Sequence, residues 1–153
     1  MMHPEGGHIM VAKKLNDTFE GTCPFHGSCV EGMCSSGALA RRKGCSIDEL
    51  PALSDNDDLW DTCSYYLAQL CATLILTVSC ERIIIGGGVL NRQVLYPKIR
   101  KETINILRGY IQLDAISEAN IESYITSSHW GSNAGTIGAA FLAQIALNET
   151  LNR

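Results

Sequence analysis

The feature that most constrains this chain is a short cysteine and histidine run, Cys23-Pro-Phe-His26-Gly-Ser-Cys29. Its three soft or borderline donors lie at i, i+3 and i+6, a spacing that lets them converge on one ion. His8 lies upstream and can supply a fourth donor, and His3 competes for that place. Two cysteines and two histidines with no open position are typical of a structural zinc site. The alternative is two unrelated thiols beside a surface histidine.

The segment that contains this run also favours a bound metal. Residues 15–30 hold glycine and proline with little periodicity, which predicts an irregular excursion. An excursion of that length inside a compact domain usually needs something to fix it. A structural zinc ion would do so, since it can contribute on the order of 10 kcal/mol to folding.

Cysteine usage and the amino-terminal sequence indicate the compartment. The chain has 7 cysteines, an odd number that suits thiols or metal ligands in a reducing environment better than a disulfide framework. No basic and apolar regions of a signal peptide precede the first histidines, so we predict a cytoplasmic location. Four cysteines outside the run are predicted to be small core residues: Cys34, Cys63, Cys71 and Cys80.

Composition predicts one folded domain over residues 1–153 and excludes some partners. Hydrophobic residues make up 46% of the 153 positions, enough to bury a core. The formal net charge is −4 with no basic arm, so we predict no nucleic-acid partner. No apolar run reaches the length of a membrane span, so we predict no membrane partner either.

Hydrophobic periodicity predicts an α/β protein. Apolar residues at helical spacing indicate a long helix, which Asp57 and its neighbours can cap. A β-branched run at 82–85 predicts a strand buried on both faces, and Asn91 is a candidate cap for the helix after it. The predicted strands are 8–12, 82–85 and 121–127, and the predicted helices are 31–42, 57–78, 92–108 and 133–151.

Two further groups of residues could carry chemistry. If a metal folds the loop back, Glu5, His8 and Glu31 can meet, and carboxylates with an imidazole suit the vicinal hydroxyls of a sugar. Solvated surface acids are the alternative. The turn Gly86-Gly87-Gly88 follows the predicted strand and lets backbone amides approach phosphates or a nucleobase. It lacks the lysine of a P-loop, and a plain tight turn is equally consistent with it.

Several of these segments together resemble one family, the ROK sugar kinases and repressors, and within it the fructokinases. The cysteine–histidine loop with its trailing glutamate is specific, and the glycine motifs support it. The resemblance runs along nearly the whole chain. In order, the matching segments are His3-Pro-Glu-Gly-Gly-His8-Ile-Met-Val, Phe19-Glu-Gly-Thr-Cys-Pro-Phe-His-Gly-Ser-Cys-Val-Glu-Gly32, Ser36-Gly37, Ile83-Ile-Ile-Gly-Gly-Gly-Val89 and Gly131-Ser-Asn-Ala-Gly135-Thr-Ile-Gly-Ala139.

The resemblance implies an actin-like, ribonuclease-H-like ATPase fold of two lobes with the active site between them. It implies a sugar/zinc-binding segment over 1–31 and a nucleotide-side α/β segment over 82–153. The implied sugar contacts are Glu5, His8 and Glu31, and the implied zinc ligands are His8, Cys23, His26 and Cys29. The implied nucleotide-binding turn is Gly86, Gly87 and Gly88, which would take ATP with Mg²⁺. A homodimer is also implied, with helix 57–78 as a candidate for its surface.

The chain departs from the family pattern in one large respect. Family members begin with an Asp-x-Gly-Gly-Thr phosphate loop and later carry an Asn-Asp pair whose aspartate is the general base. Neither occurs in its place here, so the chain resembles the C-terminal lobe only and carries no catalytic residue. We expect the full-length parent to phosphorylate a hexose, D-fructose at the 6-hydroxyl, and the 153-residue chain alone to have little or no activity. The alternatives are a non-catalytic zinc-stabilised sugar-binding fragment and the sugar-sensing domain of a ROK-type repressor.

Overall fold

A computed structural model describes residues 4–151 and has α/β architecture. Two long helices pack against each other at its centre, with short helices and a small sheet around them. The helices are α1 (Val30–Cys34), α2 (Ser36–Lys43), α3 (Asp58–Val78), α4 (Leu95–Leu107), α5 (Ile121–Tyr124) and α6 (Ala134–Leu151), and the strands are β1 (Ile83–Ile85) and β2 (Ile125–Ser127). Single 3-10 turns lie at Gly6–His8, Ile47–Ala52, Val89–Asn91, Asp114–Ile116 and Gly131–Asn133.

The long helix that periodicity predicts over 57–78 is confirmed as α3, and it forms the central element of the core. Asp57 caps it, because its carboxylate accepts a hydrogen bond from the Leu59 N–H at 3.0 Å. The buried face is rotated from the predicted one, since the leucines at 67, 70 and 74 are only half-buried. Small side chains face the core instead, which allows α4 to approach closely. They include Ala68, Cys71 and Ala72.

The sheet consists of two parallel strands, with Ile83 paired to Ile125 and Ile85 to Ser127. The strand at 83–85 is confirmed, but the prediction that both of its faces are buried is wrong. Ile83 is buried, whereas Ile84 is 62% exposed, because no layer of the described residues covers the second face. The strand predicted over 121–127 is present only in its last three residues, and α5 forms the rest.

Three other local predictions are wrong. Residues 8–12 do not form a strand: Gly6–His8 is a 3-10 turn, and only Met10 forms a bridge, to Cys29. The helix predicted over 31–42 is split at Ser35, whose extended backbone ends α1 and whose hydroxyl caps α2. Asn91 does not cap α4, because it ends the preceding 3-10 turn and the helix begins four residues later.

The start of the irregular segment is fixed by Asp17 rather than by regular structure. Its carboxylate accepts hydrogen bonds from the Arg42 guanidinium at 2.7 Å, the Phe19 N–H at 3.0 Å and the Tyr66 hydroxyl. Burial by itself raises the pKa of Asp17, but the hydrogen bonds from Arg42 and Tyr66 outweigh it and lower the pKa to about 2. The network therefore ties this segment to α2 and α3.

Helix α6 stands apart from the packed part of the chain. None of its residues is buried, and Phe141 is 70% and Leu142 69% exposed. Its apolar residues are distributed around the whole helix, a pattern typical of a helix that is enclosed by other elements. Among the described residues, no helix is both long and apolar enough to cross a bilayer.

Candidate functional site

Four donor atoms from three short segments converge in the amino-terminal quarter of the chain. His8 ends the turn Gly6–His8, Cys23 and His26 lie in the irregular segment, and Cys29 precedes α1. One ligand atom from each lies within 4.8 Å of the others. The Nδ1 of His8 is 3.7 Å from the Cys23 sulfur and 3.8 Å from the Cys29 sulfur. His3, the competing donor, lies outside the described residues.

Backbone hydrogen bonds and close glycine contacts shape this loop. The Gly27 N–H donates to the Cys23 carbonyl at 2.9 Å, which closes the turn through His26. The loop then lies directly on the start of α1. A Cβ at Gly32 would come within 1.8 Å of the Gly27 carbonyl oxygen, so only glycine fits there.

The donor set and its spacing fit a tetrahedral zinc ion. With Zn–S near 2.3 Å and Zn–N near 2.0–2.1 Å, tetrahedral geometry places sulfur and nitrogen about 3.6 Å apart. The observed sulfur–nitrogen distances are 3.7, 3.8 and 3.8 Å, the third being from Cys23 to the Nδ1 of His26. Three of the six donor pairs thus already have nearly the spacing that the ion requires, and the remaining pairs lie within 4.8 Å.

The two sulfurs differ in their acidity. Backbone N–H groups of His26 and Phe25 point at the Cys23 sulfur and lower the pKa of its thiol to about 6. Burial raises the pKa of the Cys29 thiol, and the neighbouring Cys23 adds to that effect. Because the thiolate is the metal ligand, Cys23 is prepared to bind a metal at neutral pH, and Cys29 would lose its proton on binding.

His8 joins the sulfur cluster to an acidic side chain. Its Nδ1 faces the sulfurs, and its Nε2 lies 3.3 Å from the Glu31 carboxylate. Glu31 is exposed at the first turn of α1, and Glu5 directly precedes the turn that ends at His8. The structure thus brings His8 and Glu31 together and places the backbone of Glu5 beside them, where its carbonyl accepts the His8 N–H at 3.0 Å.

The glycine turn lies at the edge of a cavity whose lining includes none of the four donor residues. Gly87 has φ +98°, a conformation that favours glycine, and a Cβ at Gly86, Gly87 or Gly88 would meet no atom within 4 Å. The turn backbone is therefore open to an incoming group. The adjoining cavity has a volume of about 690 Å³, within the range of small-molecule sites, and Gly88 lines it.

Comparison with known proteins decides the family. The ROK family profile matches residues 1–146. The chain belongs to the ROK family. It is 37% identical to a putative fructokinase of Bacillus subtilis (strain 168), 32% to a fructokinase of Pediococcus pentosaceus and 36% to a fructokinase of Lactococcus lactis subsp. cremoris. The alignments cover 96, 95 and 92% of this chain and 48, 48 and 47% of the relatives. The chain thus spans about half the length of the curated relatives it matches.

The glycine turn forms one wall of the cavity in this ROK chain. The residues of the opposite wall were not predicted from the sequence. That wall comes from the loop after α2 and from Trp60 on α3, while Arg92 reaches across from the segment after the glycine turn. The guanidinium of Arg92 lies 4.6 Å from the Trp60 ring centroid. No local pattern could have identified this pair, because the two residues lie on different elements and form no motif.

Of the four cysteines predicted to be core residues, three are buried in the core. Cys34, Cys63 and Cys71 are buried, whereas Cys80 is only half-buried. The Cys63 thiol beside it and burial both raise the pKa of the Cys34 thiol. Burial likewise raises the pKa of the Cys71 thiol to about 12, so the Cys34 and Cys71 thiols are not prepared to bind metal.

Proposed function

We propose that this chain is the C-terminal, actin-like lobe of an ATP-dependent hexose kinase. In that proposal the parent protein is a fructokinase that converts D-fructose to fructose 6-phosphate. The observation that carries the proposal is the position of His8, between a four-donor metal cluster and the Glu31 carboxylate. The relatives named fructokinase support fructose as the hexose.

On the sugar side, Glu5, His8 and Glu31 form the binding group. A metal bound at the Nδ1 of His8 leaves Nε2 protonated, and this N–H then faces Glu31 at 3.3 Å. Glu31 is thereby oriented while 56% of its side chain stays exposed, so it can accept hydrogen bonds from sugar hydroxyls. Zinc is the proposed metal, held by His8, Cys23, His26 and Cys29 in a structural role.

On the nucleotide side, ATP with Mg²⁺ binds at the turn Gly86–Gly88 and in the adjoining cavity. Three consecutive residues without side chains let phosphates approach the backbone amides. Phosphoryl transfer depends mostly on positioning and charge neutralisation, with a base that accepts the hydroxyl proton. The family's base and first phosphate loop have no counterpart in residues 1–153, so we propose no catalytic residue here. The cytoplasmic location stays a prediction.

A coupled ATP-consumption assay tests the proposal. The chain is assayed alone and then mixed with the half of the Bacillus subtilis relative that it does not match, using fructose, mannose and glucose in parallel. We expect little turnover alone and turnover with fructose on mixing, since positioned acid–base groups contribute about 10²–10⁴-fold. Glu31→Gln should weaken fructose use, whereas Glu81→Gln, at an exposed position outside the site, should not.

Each outcome separates the candidates. Robust turnover by the chain alone would refute the assignment of the missing base. Fructose binding by calorimetry without turnover in the mixture would favour the non-catalytic sugar-binding fragment. No binding of any hexose would refute the sugar site itself. The repressor alternative requires a DNA-reading segment, and the net charge of −4 does not favour it.

A further inference from the structure

Arg92 has a dense set of contacts within the cavity. Its Nη1 donates to the Leu53 carbonyl at 2.8 Å and to the Asp55 carboxylate at 2.5 Å. Its Nη2 donates to the carbonyls of Leu50 at 3.1 Å and Pro51 at 2.8 Å. One guanidinium thus donates hydrogen bonds both to the backbone of 50–53 and to the side chain of Asp55. Only 15% of the Arg92 side chain is exposed.

Trp60 contacts both Arg92 and this segment. The Arg92 guanidinium lies over its ring, and the Trp60 indole N–H donates to the Ser54 carbonyl at 2.8 Å. Trp60 is itself 3% exposed, so its position is set by the core. The segment 50–55 therefore accepts hydrogen bonds from an indole and a guanidinium that stack on each other.

The backbone of Arg92 ties this wall to the glycine turn. Its N–H donates to the Val89 carbonyl at 3.2 Å, and its carbonyl accepts from the Leu95 N–H at 3.1 Å, at the start of α4. Val89 directly follows the glycine turn. Arg92 is thus bonded to both walls of the cavity, and the width between Gly88 and the 50–55 segment depends on it.

We propose that Arg92 is a positioning residue that sets the width of this cavity for a nucleotide. This inference rests on the proposed nucleotide site. Lysine can replace it only in part, because an ammonium has three donors on one nitrogen and cannot serve all four acceptors. Without the guanidinium, the carbonyls of Pro51 and Leu53 lose this donor, and that of Leu50 keeps only the Leu53 N–H, so the wall at 50–53 is released.

Calorimetric titration with MgADP tests the inference on the 153-residue chain. We expect Arg92→Ala to bind MgADP at least about tenfold more weakly than the wild type. The affinity of Arg92→Lys should lie between those of Arg92→Ala and the wild type. Methylguanidinium should restore the affinity of Arg92→Ala, which a general loss of stability would not allow. Hydrogen exchange at residues 50–55 should be faster in both variants. Arg82→Ala is the control, because Arg82 is exposed and does not line the cavity.

The outcomes separate this inference from the proposed function. If the wild-type chain binds MgADP and Arg92→Ala binds it equally well, Arg92 has no positioning role and the nucleotide site stands. If the wild-type chain does not bind MgADP, both the site and the role of Arg92 in it are refuted. A lower binding stoichiometry with unchanged affinity would show that Arg92 acts only on folding, and would also overturn the inference. If Arg92→Ala does not fold, the MgADP affinity of Arg92→Lys is measured instead, provided that its melting temperature is unchanged. Weaker binding than in the wild type would support the inference, and equal binding would overturn it.

Discussion

Replacing Cys23 by serine should remove one zinc ion and a measurable part of the stability of the chain. The four donors already lie within 4.8 Å of one another, so little binding energy is lost in rearranging them. Structural zinc sites bind with about 10–16 kcal/mol at neutral pH, and about 8 kcal/mol of this offsets dilution to micromolar free zinc. The remaining stabilisation is about 2–8 kcal/mol. For a chain of this size, that corresponds to a melting temperature at least about 4 °C higher.

The assay combines elemental analysis with thermal unfolding, each with and without a chelator. The wild-type chain should hold about one zinc, and the chelator should lower its melting temperature to that of Cys23→Ser. Cys45→Ser is the matched control, since Cys45 is half-buried and lies outside the donor cluster. A folded wild-type chain without zinc, or a Cys23→Ser chain that keeps zinc and melts like the wild type, would refute the reasoning.

Three further predictions follow from single contacts. Asp17→Asn should remove about 2 kcal/mol of stability above pH 4, because the pKa of Asp17 is lowered to about 2. The difference in unfolding free energy between variant and wild type, measured in urea, should shrink as the pH falls from about 5 to 2. Asp58→Asn is the control. Gly32→Ala should lose zinc and several kcal/mol, because its Cβ would lie 1.8 Å from a carbonyl oxygen, whereas Gly37→Ala in open space should gain about 0.5–1 kcal/mol. Phe141→Glu should reduce self-association in sedimentation without changing zinc content, because the Phe141 side chain is 70% exposed on α6. If the variant associates as strongly as the wild type, the apolar surface of α6 is not the cause of self-association.

The metal cluster was predictable because its information is local. Cys23, His26 and Cys29 lie within one short loop, and a turn between neighbours decides whether their side chains meet. The approach of His8 and Glu31 could be inferred from the same loop, since Glu31 follows Cys29 closely. The split of a predicted helix at Ser35 was also in the sequence, as a serine cap that the continuous apolar pattern concealed.

The cavity was not predictable, because its contacts depend on elements far apart in the chain. The carbonyls that Arg92 binds lie about forty residues upstream and carry no residue-type information. The exposure of Ile84 was missed for a related reason. A run of β-branched residues indicates a strand but not how many layers cover it, and in the described part of this chain only one face is covered.

The two candidate sites are connected through α3. Its first half packs against α1, which begins at the metal cluster, and it also packs along α4, which begins after the glycine turn. The Cys34 thiol reaches the Cys63 carbonyl at 3.7 Å, so α1 is in direct contact with the first third of α3. Because packed helices transmit small displacements rather than absorbing them, releasing zinc should loosen α1 against α3. The cavity, whose wall includes Trp60 of the same helix, would then lose part of its support even though no metal ligand lines it.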